Sequence, residues 1–271
     1  MRILIYGGSS YLGKHLSQKL LSSGHRIAHV DRKNRSIEKV EYFDSKTELI
    51  SAIDSFQPSI IFYLSASYDN NNIQENINVN ITTPLTILEK IKNKSNIEFL
   101  YTTSYWQLGN KNVNIPIDLY STAKKSMSEF LCFYNQYNTI RCKEILLYGI
   151  YGNRPEKLLD NLLDKANNKQ CIELTDGQQK LNLVHIDAVC QAVIDHVLPC
   201  KQHKFTIHSS KEYSPREIVS LINLEIELQV KWGAKAYREV ELMQPTYSNE
   251  YQKIIIKDSL PAYISKSINS S

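Results

Sequence analysis

Tyr120 and Lys124 stand four residues apart in the segment DLYSTAKKSMSEF, residues 118–130. On a helix this spacing sets two side chains next to each other on one face, while Lys125 projects about 100° further round. A phenol with a pKa near 10 is a poor acid or base at neutral pH. An ammonium ~5 Å away, at an effective dielectric of ~20, favours the tyrosinate by about 3 kcal/mol, or roughly two pKa units. A tyrosine so placed could give a proton to an alkoxide or take one from an alcohol. Lys124 is therefore the candidate partner and Lys125 is not. An ordinary amphipathic helix satisfies the same spacing, so the surroundings must decide.

Two further segments supply chemistry. LYTTSYWQLG ends a strand at Ser104, whose hydroxyl could hydrogen-bond a reacting oxygen at the strand end where open α/β sheets bind ligands. YGGSSYLGKHL follows the first strand and opens the first helix, with Gly7 and Gly13 six apart and Ser10 in the middle position. A helix N-terminus offers unpaired N–H groups and a positive dipole end, which suits a diphosphate. Gly7 permits the tight turn and Gly13 a close helix–strand approach; Ser10 could still donate to phosphate. The bland alternative is a strand–turn–helix with no ligand.

Asp31 ends the second strand, where a carboxylate accepts from adenosine ribose hydroxyls and favours NAD. Arg32, Lys33 and Arg35 follow at once and could pair the 2′-phosphate of NADP, or simply form a solvated loop. The choice between NAD(H) and NADP(H) stays open at this level.

The elements that must position these groups alternate. RILIYG, HRIAHVD, SIIFYLS, IEFLYTTS and CKEILLYG read as short buried strands. Helical stripes separate them: Tyr11 to Ser23, Thr47 to Phe56, a long helix marked by Ile77, Ile81, Leu85 and Leu88 with a kink or break near Pro84, and the Tyr120 helix. The pattern predicts an α/β fold: a Rossmann-type doubly wound parallel sheet with strands near 2–6, 26–31, 59–64, 97–103 and 142–148. Residues 1–149 would form the dinucleotide-binding domain. Residues 150–271 would form a smaller substrate-binding lobe, an approximate boundary because the chain can cross back. In that lobe Ser214 and Glu217 make a capping-box pattern, and Asp187 opens a helix that it could cap.

The bulk properties exclude several classes. The 271 residues carry 32 Lys+Arg against 28 Asp+Glu, with no run of five like charges, so neither a nucleic-acid tract nor a disordered tail is indicated. The five cysteines include no C-x-x-C pair, which argues against a metal site or a disulfide framework. Apolar runs are too short to span a membrane. The chain starts directly with MRILIYG, so no signal peptide and a cytoplasmic location are expected.

A glycine loop, then a strand-end serine, then Tyr-x-x-x-Lys on a helix is an order that resembles the short-chain dehydrogenase/reductase superfamily. The resemblance is to its extended branch, the NAD-dependent epimerase/dehydratase family of nucleotide-sugar enzymes. It covers most of the chain, through YLSAS, NVNITTPLTILEKI, LLYGIYGNRP and DGQQKLNLVHIDAVCQAV. It implies Tyr120 as acid/base, Lys124 on the nicotinamide ribose, and Ser104 on the substrate oxygen. Gly7, Ser10, Tyr11, Leu12 and Gly13 would carry the diphosphate. Asp31 and Arg32 would meet the adenosine ribose and Asp44 the adenine, unless Asp44 is only a helix cap. Ser65, Tyr105 and Trp106 would line the substrate pocket, although a core role for the two aromatics is an equal alternative. Many relatives pair through the long helix and the Tyr120 helix, which implies a homodimer.

Departures from the family pattern bear on the reaction. Ser10 replaces the middle glycine, Gly149 replaces an asparagine before the fifth-strand motif, and Leu181 replaces an arginine of the nucleotide-sugar half. Dehydratases of the family place Asp-Glu after the strand-end hydroxyl, and here Tyr105 and Trp106 follow Ser104. The expectation is an NAD(P)H-dependent reductase of a 4-keto-6-deoxy nucleotide sugar, serving deoxysugar biosynthesis for surface polysaccharide. The alternatives are a nucleotide-sugar 4-epimerase with tightly held NAD and a non-enzymatic dinucleotide-sensing regulator.

Overall fold

The computed structural model describes residues 1–33, 37–110, 115–154 and 157–269. The first half runs β1 (Arg2–Tyr6), α1 (Tyr11–Ser22), β2 (Arg26–Asp31), β3 (Val40–Asp44), α2 (Ser51–Phe56), β4 (Ile60–Tyr63), α3 (Ile73–Ile77), α4 (Thr83–Ile91), β5 (Glu98–Ser104), α5 (Leu119–Tyr137) and β6 (Arg141–Leu147). The second half continues with β7 (Gly149–Tyr151), α6 (Leu158–Asn167), β8 (Ile172–Glu173), β9 (Leu181–His185), α7 (Ile186–Ala192), β10 (Lys204–Ser209), β11 (Glu212–Tyr213), α8 (Pro215–Ile222), β12 (Val230–Lys231), β13 (Gln252–Ile256) and α9 (Leu260–Asn269).

Eight strands form one sheet in the order β13-β10-β6-β5-β4-β1-β2-β3. Every pairing in it is parallel. Side chains alternate across each strand, so two cores form. Ile3 and Ile5 pack on one face with Leu16 and Leu20 of α1 and Val189 of α7. Leu4 and Tyr6 pack on the other with Phe56, Ile87, Leu88 and Met127. Helices on both faces make this the doubly wound α/β fold, and the five strands expected from the sequence are all present.

Three further strands complete this sheet; β10 falls on KFTIHSS, which reads as a strand in the sequence, whereas β3 and β13 were not anticipated. β3 takes one sheet edge, and β10 and β13 extend the other. The chain thus crosses back into the first sheet after residue 150. A third core, with Tyr151, Leu162, Ile218, Ile222 and Leu260, gathers α6, α8 and α9. α2 starts at Ser51 rather than at Thr47, because Asp44 to Glu48 forms a turn. His185, not Asp187, caps α7: its Nδ1 accepts from the Asp187 N–H at 3.3 Å. The Ser214–Glu217 capping box is present on α8.

The long helix is not broken at Pro84. A π turn over Asn78–Thr82 joins α3 to α4, with Pro84 in the first turn of α4. Proline has no N–H, so Pro84 cannot donate to the carbonyl four residues back. That carbonyl, on Asn80, accepts from the Tyr101 hydroxyl at 2.8 Å. Among the described residues no helix is long and apolar enough to cross a membrane.

Candidate active site

The chain leaves β1 for β2 on one side and reaches β4 on the other, so a crevice forms beyond the carboxyl end of β1. The glycine loop fills its floor. Gly7 has φ +81°, and a Cβ there would lie 2.7 Å from both Ser65 N and Ser65 Oγ. A Cβ on Gly13 would lie 2.5 Å from the Gly7 carbonyl oxygen. Ser10 is the N-cap of α1, its Oγ accepting from the Gly13 N–H at 3.1 Å. The first intrahelical bond runs from Lys14 N–H to Ser10 O. The N–H groups of Tyr11 and Leu12 therefore lie at the open helix end, beside the cleft that both residues line. This cradle fits a diphosphate: backbone donors, a dipole end and no side chain in the way. Ser10 contributes first as a cap, and its hydroxyl proton is still disposed to donate.

At the adenosine end, Asp31 closes β2 with 8 % exposure. Its carboxylate accepts from Ser9 N–H at 2.9 Å and Ser9 Oγ at 3.0 Å. His29 lies 3.9 Å from it, but burial pushes that imidazole down to about 4, so it adds no positive charge at neutral pH. Arg32 is exposed and pairs with Glu75 at 3.0 Å. Lys33 lines the cleft. Arg35 lies outside the described residues. Asp44 pairs with Asp31 in the strand register, and its Oδ1 accepts from Lys46 N–H at 2.8 Å. Asp44 does not cap α2, whose N-cap is Ile50; its side chain closes the local turn after β3, and the cleft wall beside it is Ser45, Lys46 and Leu49.

The structure brings Ser104, Tyr120 and Lys124 together. Asp118 and Ser121 form a reciprocal capping box that fixes the start of α5. Asn70 Oδ1 accepts from the Tyr120 N–H at 2.9 Å, and Asn70 Nδ2 donates to Asp118 at 3.1 Å. The Tyr120 hydroxyl lies within the influence of Ser104, which favours its ionised form, and of Tyr68, which opposes it. The rings of Tyr68 and Tyr120 lie 4.6 Å apart. Lys124 is 1 % exposed; its ammonium donates to the Tyr101 hydroxyl and the Thr102 carbonyl, both at 3.0 Å. It sits 5.8 Å from the centre of the Tyr120 ring. Lys125 has no place in this group: one helix position on, it is half-buried on a different side of α5.

The electrostatics differ from the simple Coulomb estimate. Burial holds the Tyr120 phenol well above its ordinary pKa, and Tyr68 and Asp118 push the same way. Burial also lowers Lys124 to about 7, against a smaller upward push from Glu144. Spacing alone put an ammonium beside the phenol at an effective dielectric of ~20; desolvation outweighs that attraction here. The phenol is therefore protonated across the neutral range, the state of a proton donor.

Ser104, Tyr120 and Lys124 border one cleft of about 1400 Å³ that also reaches Gly7, Ser10 and Asp31. Ser65, Tyr105 and Trp106 line it too. The Tyr105 ring stacks on Tyr148 at 4.8 Å, and Trp106 meets Tyr120 edge-on at 6.4 Å. Arg238 stacks 5.0 Å over Trp106, and Arg154 5.1 Å over Tyr11. The sequence reading missed Tyr68, Asn70, Tyr101, Arg154 and Arg238. Tyr101 was within reach of it: strand alternation puts Tyr101 on the α5 side, with Phe99. The two arginines lie in irregular segments with no periodic signal.

Comparison with known proteins agrees with this geometry. Residues 3–201 match the profile of the NAD dependent epimerase/dehydratase family. A CDP-abequose synthase of Yersinia pseudotuberculosis is 29% identical, the alignment covering 99% of both chains. A CDP-abequose synthase of Salmonella muenchen is 22% identical over 90% of this chain and 87% of its own. Among solved structures, the UDP-glucuronic acid 4-epimerase of Bacillus cereus, with UDP-glucuronic acid and NAD, superposes with a TM-score of 0.82. It is 18% identical, with 100% of this chain and 99% of that chain covered.

Proposed function

The chain belongs to the NAD-dependent epimerase/dehydratase family, and from that premise we propose that it reduces the 4-keto group of a CDP-linked deoxysugar with NADH. The observation that carries this reading is the meeting of Ser104, Tyr120 and Lys124 at the end of β5, followed by two aromatic residues where a family dehydratase would carry two acids. The similarity to two CDP-abequose synthases, over 99% and 90% of this chain, supports a deoxysugar linked to CDP as the substrate class.

The glycine-loop cradle, with Tyr11 and Leu12 N–H groups at the helix end, fits a dinucleotide diphosphate. A dinucleotide whose diphosphate is held there would supply the hydride for the keto carbon. The chain does the rest. Ser104 Oγ hydrogen-bonds the keto oxygen and fixes its direction. Tyr120, held protonated by burial, gives its phenolic proton to that oxygen as negative charge develops. Lys124, in its charged form, balances the tyrosinate left behind and would hold the nicotinamide ribose. Trp106 closes the side of the pocket against Tyr120 and excludes water from the proton transfer.

NADH is favoured over NADPH by charge. Asp31 presents a carboxylate at the ribose end, and the arginine next to it is already paired with Glu75. A 2′-phosphate would meet that carboxylate. The second reading, a 4-epimerase that retains its cofactor, is favoured by the names of the solved neighbours and uses the same three residues. A regulator would need neither the Tyr120 hydroxyl nor the Lys124 ammonium. The test is net NADH consumption on a CDP-linked 4-keto deoxysugar.

A further inference from the structure

Glu144 lies on β6, 2 % exposed, beneath the site. Its carboxylate accepts four hydrogen bonds. Oε1 receives Tyr251 OH at 2.6 Å, Thr103 Oγ1 at 2.8 Å and Gln107 Nε2 at 3.0 Å. Oε2 receives Ser128 Oγ at 2.6 Å. The sequence positions of the donors give the network its meaning. Thr103 and Gln107 bracket Ser104, Tyr105 and Trp106, the segment at the end of β5. Ser128 lies one helical turn beyond Lys124 on α5. One anion therefore ties the segment carrying Ser104 to the helix carrying Tyr120 and Lys124.

A buried carboxylate is costly to desolvate, and an apolar side chain would fill the same volume without that cost. A group retained under those terms invites a role beyond packing. We propose that Glu144 is a positioning residue: its carboxylate aligns Ser104 with the Tyr120–Lys124 helix and supplies the negative charge that the Lys124 ammonium faces. This rests on the reading of Ser104, Tyr120 and Lys124 as the reacting set. Other ionisable groups near Lys124 are Tyr101 on β5 and Tyr120 on its own helix, both held protonated by burial. Around Glu144 they are Tyr251 before β13, Lys204 on β10 and Cys132 on α5. Among the described residues Glu144 is the anion that acts on Lys124, and it opposes the desolvation of that ammonium.

The test uses the full chain and the pH dependence of NADH affinity, read by nicotinamide fluorescence. It needs no identified sugar. Affinity should fall as pH rises through the titration of Lys124. Glu144→Gln should move that fall to lower pH by about one unit, so that affinity at pH 7.5 drops about tenfold. Glu144→Asp keeps the charge but draws it back by one methylene, and should move the fall in the same direction by less; it serves where the glutamine variant does not fold. Ser128→Ala removes one donor and leaves the charge, and should leave the pH of the fall unchanged. A purely structural Glu144 would lower the melting temperature and leave the pH of the fall where it is in both Glu144 variants, and that result overturns the proposal. If Tyr120→Phe keeps normal turnover on a keto-sugar while the Glu144 shift occurs, the reacting set has been misread and the electrostatic link stands.

Discussion

The Lys124 ammonium donates to the Tyr101 hydroxyl at 3.0 Å, and that hydroxyl in turn donates to the Asn80 carbonyl at 2.8 Å. The carbonyls of the π turn are open to side-chain donors because Pro84, in the first turn of α4, has no N–H to offer them. A proline in one helix thus fixes the partner of a lysine in another. Tyr101→Phe removes this link without changing shape. Turnover and NADH affinity should both fall, by about tenfold, and stability should fall by about 1–3 kcal/mol because Asn80 O and the ammonium lose a buried partner. Steady-state kinetics and thermal denaturation would check both.

Tyr120→Phe removes only a hydroxyl from a well-packed ring. Dinucleotide binding and folding should persist, while turnover falls by roughly 10² to 10⁴, the worth of a positioned general acid. Binding by fluorescence and turnover by NADH absorbance separate the two effects. Near-normal turnover would mean that α5 is an ordinary amphipathic helix.

Lys124→Met should abolish turnover and weaken NADH binding, whereas Lys125→Met should behave like the parent chain. The stability effect has a defined sign. Lys124 titrates at about 7 in the fold against 10.5 for an ordinary lysine. The unfolded chain therefore binds the extra proton between those values, and the cost of burying the charge is complete below pH 7. Lys124→Met should raise the melting temperature of the ligand-free protein at pH 6, and the gain should shrink as pH rises towards 10.

Much of this was legible in the sequence. The central strands announce themselves because both faces are buried, giving unbroken apolar runs such as RILIY and IIFY. The edges do not. VEYFD and QKIII are part-exposed strands whose charged and apolar residues look like loop. Tyr120, Lys124 and Ser104 could be found because helix spacing and strand ends are local properties. Tyr68, Tyr101 and Glu144 meet them only through pairing across the sheet and through the π turn before Pro84. No local pattern encodes those contacts. The same limit explains the misjudged charge of Lys124: spacing gives a distance, and burial sets the dielectric.

Asp31→Ala should narrow the preference for NADH over NADPH by about tenfold, the worth of one hydrogen bond to a charged group, roughly 1.5 kcal/mol. Arg32→Ala should change little, because Arg32 is exposed and paired with Glu75. Titration of both variants with both nucleotides gives the comparison.

Gly13→Ala places a methyl 2.5 Å from Gly7 O and 2.6 Å from Gly8 O. Both obstacles are backbone, so the loop must move. Dinucleotide affinity should be lost, with about 1–3 kcal/mol of stability. Gly24→Ala, where nothing lies within 4 Å of the added carbon, controls for glycine loss alone, apart from the strain of its φ of +77°.

The most direct measurement is stoichiometric. The purified chain is mixed with CDP-linked 4-keto deoxysugar and a known amount of NADH, and both nucleotide-sugar product and NADH are quantified as the reaction proceeds. The expected result is one NADH oxidised per sugar reduced, with the rate lost in Tyr120→Phe. Interconversion of 4-hydroxy sugars with no net NADH consumption, by protein that carries NAD through purification, would contradict the reductase reading and establish an epimerase.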